Sequence, residues 1–200
     1  TYANVNPTVG ATKYQSIRRS TYANVITTAN QALGQNNTQN CFFRGSVAGQ
    51  GGFFYHARVG FDVWTNGGRF FAGITAAASS VAAADPSTQN NTIGFCVDVA
   101  DNGAISFLTR GTAATKASTG YTITSNKGYD VYFYCAPNGS SISWEIVDIN
   151  AGTSATGTAT NNLPTNTTLM APLALASNAG LTPATSINFG IAKIYCESDY

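Results

Sequence analysis

The chain has 200 residues, of which 44% are hydrophobic, 12% aromatic and only 10% charged, with a formal net charge of +1. An ordinary soluble domain is roughly 25% charged, so Thr, Asn, Ser and Gly must keep this surface wet. So balanced a charge offers no long-range steering toward phosphates, nucleic acid or strongly basic proteins. No run approaches the roughly 20 apolar residues that span a bilayer, which excludes a membrane-inserted helix. The apolar content is enough to bury one main core.

Residues 1–40 are polar and hold Thr-Tyr-Ala-Asn-Val twice, at 1–5 and at 21–25. Alone, such a stretch cannot bury enough apolar area to offset the entropy of ordering it. It is expected to be an extended arm or connector that pairs with a neighbouring chain, ahead of a domain over 41–200. Arg18 and Arg19, the only basic doublet, are expected to meet a neighbour's carboxylate or solvent.

From Cys41 onward, runs of β-branched and aromatic residues are each ended by Gly, Asn, Asp or Pro, the pattern of successive strands. The runs fall at 53–64, 69–76, 92–99, 104–110, 121–124, 129–135, 140–149, 168–175 and 186–197. In the first of them Phe53, Tyr55, Ala57, Val59, Phe61 and Val63 share one face, while His56, Arg58, Asp62 and Trp64 share the other, as period-two geometry requires. Asn66-Gly67-Gly68 tolerates positive φ and turns the chain into the strand opened by Arg69, so 53–64 and 69–76 read as a hairpin. A short helical turn is expected only over 76–84, closed by Asp85-Pro86. The fold class is therefore all-β, a two-sheet antiparallel β-sandwich. It is jelly-roll-like, with a legume-lectin-like sandwich fitting the same strands and alternation.

The chemistry-bearing residues are few. Cys41, Cys96, Cys135 and Cys196 have no metal-ligand spacing and sit in apolar surroundings, so they are expected to be reduced core thiols. His56 is the sole histidine, and its face offers Arg58 and Asp62 in place of a hydroxyl nucleophile. Asp98 and Asp101 flank a turn, where Asp commonly bonds its own backbone. No catalytic residue, metal set, cofactor motif or nucleic-acid stripe emerges. The remaining resource is aromatic: Tyr132 and Tyr134 share a face opposite Val131 and Phe133, and rings flanked by Asn and Asp suit a shallow saccharide site. The candidate ligand-binding residues are His56, Arg58, Asp62, Trp64, Asn66, Arg69, Tyr132 and Tyr134.

The segments 129–139 (YDVYFYCAPNG), 162–168 (NLPTNTT) and 193–200 (KIYCESDY), with Ala171-Pro172 and Ile93-Gly94-Phe95, are ordered as in a known group. Together they resemble the C-terminal receptor-binding head domains of tailed-bacteriophage tail fibres. Cys135 and Cys196 depart from the pattern, standing where Leu or Val is usual. The resemblance implies a homotrimeric head at the distal fibre tip of a virion, assembled in the host cytoplasm. It implies attachment, without catalysis, to a bacterial surface glycan or outer-membrane protein. A structural capsid or decoration jelly roll, and a capsule-modifying hydrolase, are the alternatives.

Overall fold

Strict alternation along the longest strand sets the two layers. In β4 (Phe53–Val63) the side chains of Phe53, Tyr55, Ala57, Val59 and Phe61 enter the core, while Phe54, His56, Arg58 and Asp62 project from the other face. The structure is a computed structural model, and it describes residues 2–10, 12–23, 32–36, 40–77, 84–179 and 186–198. The other strands are β1 (Tyr2–Val5), β2 (Arg19–Ala23), β3 (Ala32–Asn36), β5 (Arg69–Thr75), β6 (Thr92–Val97) and β7 (Ala104–Arg110). They continue with β8 (Ala114–Thr122), β9 (Lys127–Cys135), β10 (Ile142–Asp148), β11 (Thr153–Ala159), β12 (Ala171–Ser177) and β13 (Asn188–Glu197).

Two antiparallel sheets result, one of seven strands ordered β1-β2-β13-β4-β9-β10-β11 and one of six ordered β3-β12-β5-β6-β7-β8. This is the expected two-sheet sandwich. Between the sheets, Phe53, Tyr55, Phe61, Phe133 and Trp144 meet Phe70, Phe95 and Phe107. Tyr55 stacks on Phe133 with centroids 4.7 Å apart, and Trp144 on Phe107 at 5.6 Å. Each such ring contributes roughly 1.5–3 kcal/mol by leaving water. The buried Tyr55 hydroxyl donates to the Leu173 carbonyl at 3.2 Å, so the polar end of the ring is satisfied inside the core. Phe71, Cys96, Leu108, Leu173 and Leu175 form a second, smaller cluster.

The first forty residues, expected as an arm that pairs with a neighbouring chain, instead supply β1, β2 and β3 to the sheets of this chain. The two pentapeptide copies account for part of this. Tyr2 and Ala3 of the first copy pair antiparallel with Tyr22 and Thr21 of the second, the rings of Tyr2 and Tyr22 lying 5.3 Å apart. Arg19 likewise pairs within the chain, with Asp62. The segment between the copies lies against the seven-stranded sheet, where the Tyr14 ring, 1% exposed, rests on Gly128, Gly60 and Gly190 of three adjacent strands. A Cβ at any of the three would overlap that ring, so glycine is what lets the ring approach the backbone.

The cysteines divide. Cys96 and Cys135 are buried, but Cys41 is exposed and Cys196 half-buried, because Cys41 lies outside any strand, next to the isolated bridge between Phe42 and Met170. Most of the expected helical turn over 76–84 lies outside the described residues; a 3-10 turn follows it at Pro86–Thr88. Among the described residues no helix is long and apolar enough to cross a membrane.

Candidate functional site

The outer face of the seven-stranded sheet is laid out in rows by cross-strand register. One row runs Glu197, Phe54, Tyr134, Ser143, Thr158 across β13, β4, β9, β10 and β11. The next runs Tyr195, His56, Tyr132, Glu145, Thr156, and a third Lys193, Arg58, Asp130, Val147, Ser154. Directly opposite residues on one face touch through their side chains. The His56 ring stacks on Tyr132 with centroids 4.3 Å apart, and Phe54 lies 6.4 Å from Tyr132 and 6.2 Å from Tyr195. Within the first two rows a groove of about 420 Å³ opens, lined by Phe54, Tyr132, Tyr134, Ser143, Glu145 and Thr156. Tyr134 and Tyr195 are each 44% exposed.

Asp130 anchors the third row. Arg58 reaches it with a fork, Nε to Oδ1 at 2.8 Å and Nη2 to Oδ2 at 2.7 Å, while His56 Nε2 lies 3.1 Å from Oδ1. Burial by itself would raise the Asp130 pKa, but the hydrogen bonds from His56 and Arg58 and their charges outweigh it and hold the group at about 2. The carboxylate therefore only accepts, and Nε2 carries the shared hydrogen. His56 is thereby fixed in orientation against the Tyr132 ring, which lines the groove.

The phenols are shifted the other way. Burial, then the negative charge of Asp130, push Tyr132 upward, partly offset by Arg58. Tyr195 is raised by its hydrogen bond to Glu197, which it donates at 2.7 Å. Neither phenol is poised to lose its proton near neutral pH.

Four of the eight sequence candidates meet on this face: His56, Arg58, Tyr132 and Tyr134. Asp62 shares the face farther along β4, where Arg19 holds it. The other three depart from the expectation. Trp64 follows the last residue of β4, so alternation no longer governs it. Its indole turns back against Phe61, with centroids 5.0 Å apart, and packs on the core. Asn66 is exposed in the turn after β4. Arg69 opens β5 in the opposite sheet and donates to Asp85 at 2.7 Å. Sequence reasoning missed Phe54, Asp130, Glu145, Tyr195 and Glu197. Phe54 and Asp130 were legible in principle, since they alternate with His56 and with Tyr132 along single strands; the others join the face only through strand register.

Elsewhere, Asp98 and Asp101 form a capping box around the 3-10 turn Val99–Asp101, the backbone role expected of them, and both also bind Lys116. Among the described residues no group of three or more His, Cys, Asp or Glu is placed to hold a metal ion.

The fold has clear structural likenesses. No family model matches the sequence, and no curated protein matches it. Among solved structures the chain is similar to lectin I-B4 from Griffonia simplicifolia, at 11% identity and a TM-score of 0.60, covering 100% of this chain and 93% of that one. It is similar to lectin UEA-II, solved in complex with galactose, at 15% identity and 0.59, covering 100% and 99%. It is also similar to the alginate lyase from Klebsiella pneumoniae, at 9% identity and 0.55, covering 90% and 81%. At such identities the likeness establishes the fold, an antiparallel jelly-roll sandwich found in lectins and polysaccharide lyases alike.

Proposed function

We propose that the protein binds a saccharide chain in the groove across β4, β9, β10 and β11 and holds it without cleaving it. The carrying observation is the row of open rings, Phe54, Tyr132 and Tyr134, beside the hydroxyls of Ser143, Thr156 and Thr158 and the carboxylate of Glu145. Flat apolar rings pack on the C–H faces of sugars while the neighbouring polar groups exchange hydrogen bonds with sugar hydroxyls. The sparse charge supports a hydroxyl-rich partner over a polyanion. The similarity in fold to lectins agrees with this reading without carrying it.

Retention rather than turnover is favoured by the raised phenols of Tyr132 and Tyr195 and by the locked Asp130, none of which is a base matched to neutral pH. The wider setting implied by the C-terminal resemblance belongs to the same proposal: a homotrimeric fibre tip attaching to a bacterial surface glycan. Light scattering of the purified protein is then expected to give a trimer mass, and a stable monomer at micromolar concentration would remove that setting while leaving the groove's role intact.

The groove itself is tested by screening immobilised oligosaccharides and measuring the best binder by calorimetry. Tyr132→Ala and Tyr134→Ala are each expected to weaken binding about tenfold, the loss of about 1.4 kcal/mol of ring contact, with unchanged melting temperature for the exposed Tyr134. Binding unaffected by both would overturn the assignment of the face. Shortening of a bound polysaccharide during incubation would overturn its non-catalytic character and favour the capsule-modifying enzyme as the alternative.

A further inference from the structure

We infer that the saccharide recognised by this face carries a free, protonated amino group. The inference rests on the carbohydrate-binding reading above and names the class of sugar. Its starting point is the pairing of acids. Asp62, Asp85, Asp98, Asp101, Asp130 and Asp148 each form an ion pair with an arginine, lysine or histidine of this chain. Glu145 and Glu197 are the described acids without a cation at ion-pair distance, and both stand on the outer face of the seven-stranded sheet.

Glu145 is the more telling. It is half-buried, opposite Tyr132 on one side and Thr156 on the other, and it lines the groove. A partly desolvated carboxylate without a counter-charge carries a standing cost that an incoming cation relieves. The same groove presents Phe54, Tyr132 and Tyr134, and the negative faces of aromatic rings attract an ammonium group. A carboxylate among aromatic faces is thus complementary to an amine. An acidic sugar would be repelled by Glu145, and a neutral or N-acetylated one would leave its charge unanswered.

The cations of the face do not fill this role. Arg58 is engaged by Asp130. Lys193 lies over the Tyr195 ring, 5.6 Å from its centroid, on β13, three strands from the β10 position of Glu145. The β10 side of the groove is left as its negative end.

The test is calorimetric titration of the intact protein with three oligosaccharides of equal length: a glucosamine oligomer, its N-acetylated counterpart and a glucose oligomer. It is run at about pH 6, where a sugar amine is protonated. The amine form is expected to bind about tenfold tighter than either of the others, with the advantage shrinking as salt is raised. Glu145→Gln is expected to reduce that advantage, read as the ratio of the amine-form affinity to the glucose-oligomer affinity in the same variant, to about twofold or less. Equal affinities for the three, or an amine preference that survives Glu145→Gln, would overturn the inference and leave the carbohydrate-binding reading standing. Absence of binding to all three, and to the wider glycan screen, would overturn both.

Discussion

Tyr14→Ala is expected to lower the free energy of unfolding by about 3–5 kcal/mol, the range for large aromatic side chains removed from well-packed sites. Urea unfolding followed by tryptophan fluorescence measures it. The size follows from the placement of the ring. It is almost wholly buried, lies across glycines of β9, β4 and β13, and carries the Arg19 guanidinium 4.5 Å above its centroid. Its removal opens a cavity against a rigid sheet that cannot collapse into it. Tyr14→Phe is expected to be at least as stable as the parent, because among the described residues no hydrogen-bond geometry satisfies the buried Tyr14 hydroxyl. Gly60→Ala attacks the same contact from below and is expected to cost about 1–3 kcal/mol, less than additively with Tyr14→Ala because the two share one contact. A loss below about 1 kcal/mol for Tyr14→Ala would show that the N-terminal segment is not part of the cooperative unit.

The second large effect centres on Asp130. Its folded pKa of about 2 lies below the ordinary 3.8, so its contribution is fully present above about pH 4 and is lost as pH falls through about 2. By linkage this difference amounts to about 2 kcal/mol. Asp130→Asn is therefore expected to be destabilised by about 2 kcal/mol at pH 7 and to show a correspondingly flatter decline of stability between about pH 4 and pH 2. Denaturant unfolding at a series of pH values checks both halves. A variant that keeps the full acid dependence would place the responsible carboxylate elsewhere. Asp148, lowered despite its burial by backbone N–H groups and Lys127, is the alternative source.

Which strands were legible follows from burial. β4, β5, β6, β7, β9, β10, β12 and β13 carry runs of apolar or alternating residues, and each is expected from the sequence within a few positions. The elements missed outright or cut short include all four sheet edges: β1 and β11 in one sheet, β3 and β8 in the other. An edge strand is paired on one side only and needs little apolar surface, so Thr153–Ala159 reads as a polar loop. Its inward positions Ala155, Gly157 and Ala159 are small, and Gly157 leaves room for the Trp144 indole.

The candidate site was legible only within single strands. Period two places His56 with Arg58, and Tyr132 with Tyr134, but nothing local aligns β4 with β9 or sets Glu145 beside Tyr132. Trp64 misled because alternation was carried one residue past the end of the strand. Arg69 misled because Asn66-Gly67-Gly68 reads as a hairpin turn, whereas the chain crosses there from one sheet to the other and β4 and β5 do not pair.

Because β2 is hydrogen-bonded on one side to β1 and on the other to β13, two stretches from opposite ends of the described chain must meet before the larger sheet is whole. Pairings of such long sequence separation slow acquisition of the native state. Until β13 arrives, both its future neighbours, β2 and β4, present unpaired backbone to any other strand in solution. Refolding yield should therefore fall as protein concentration rises, through misassembly at that one seam.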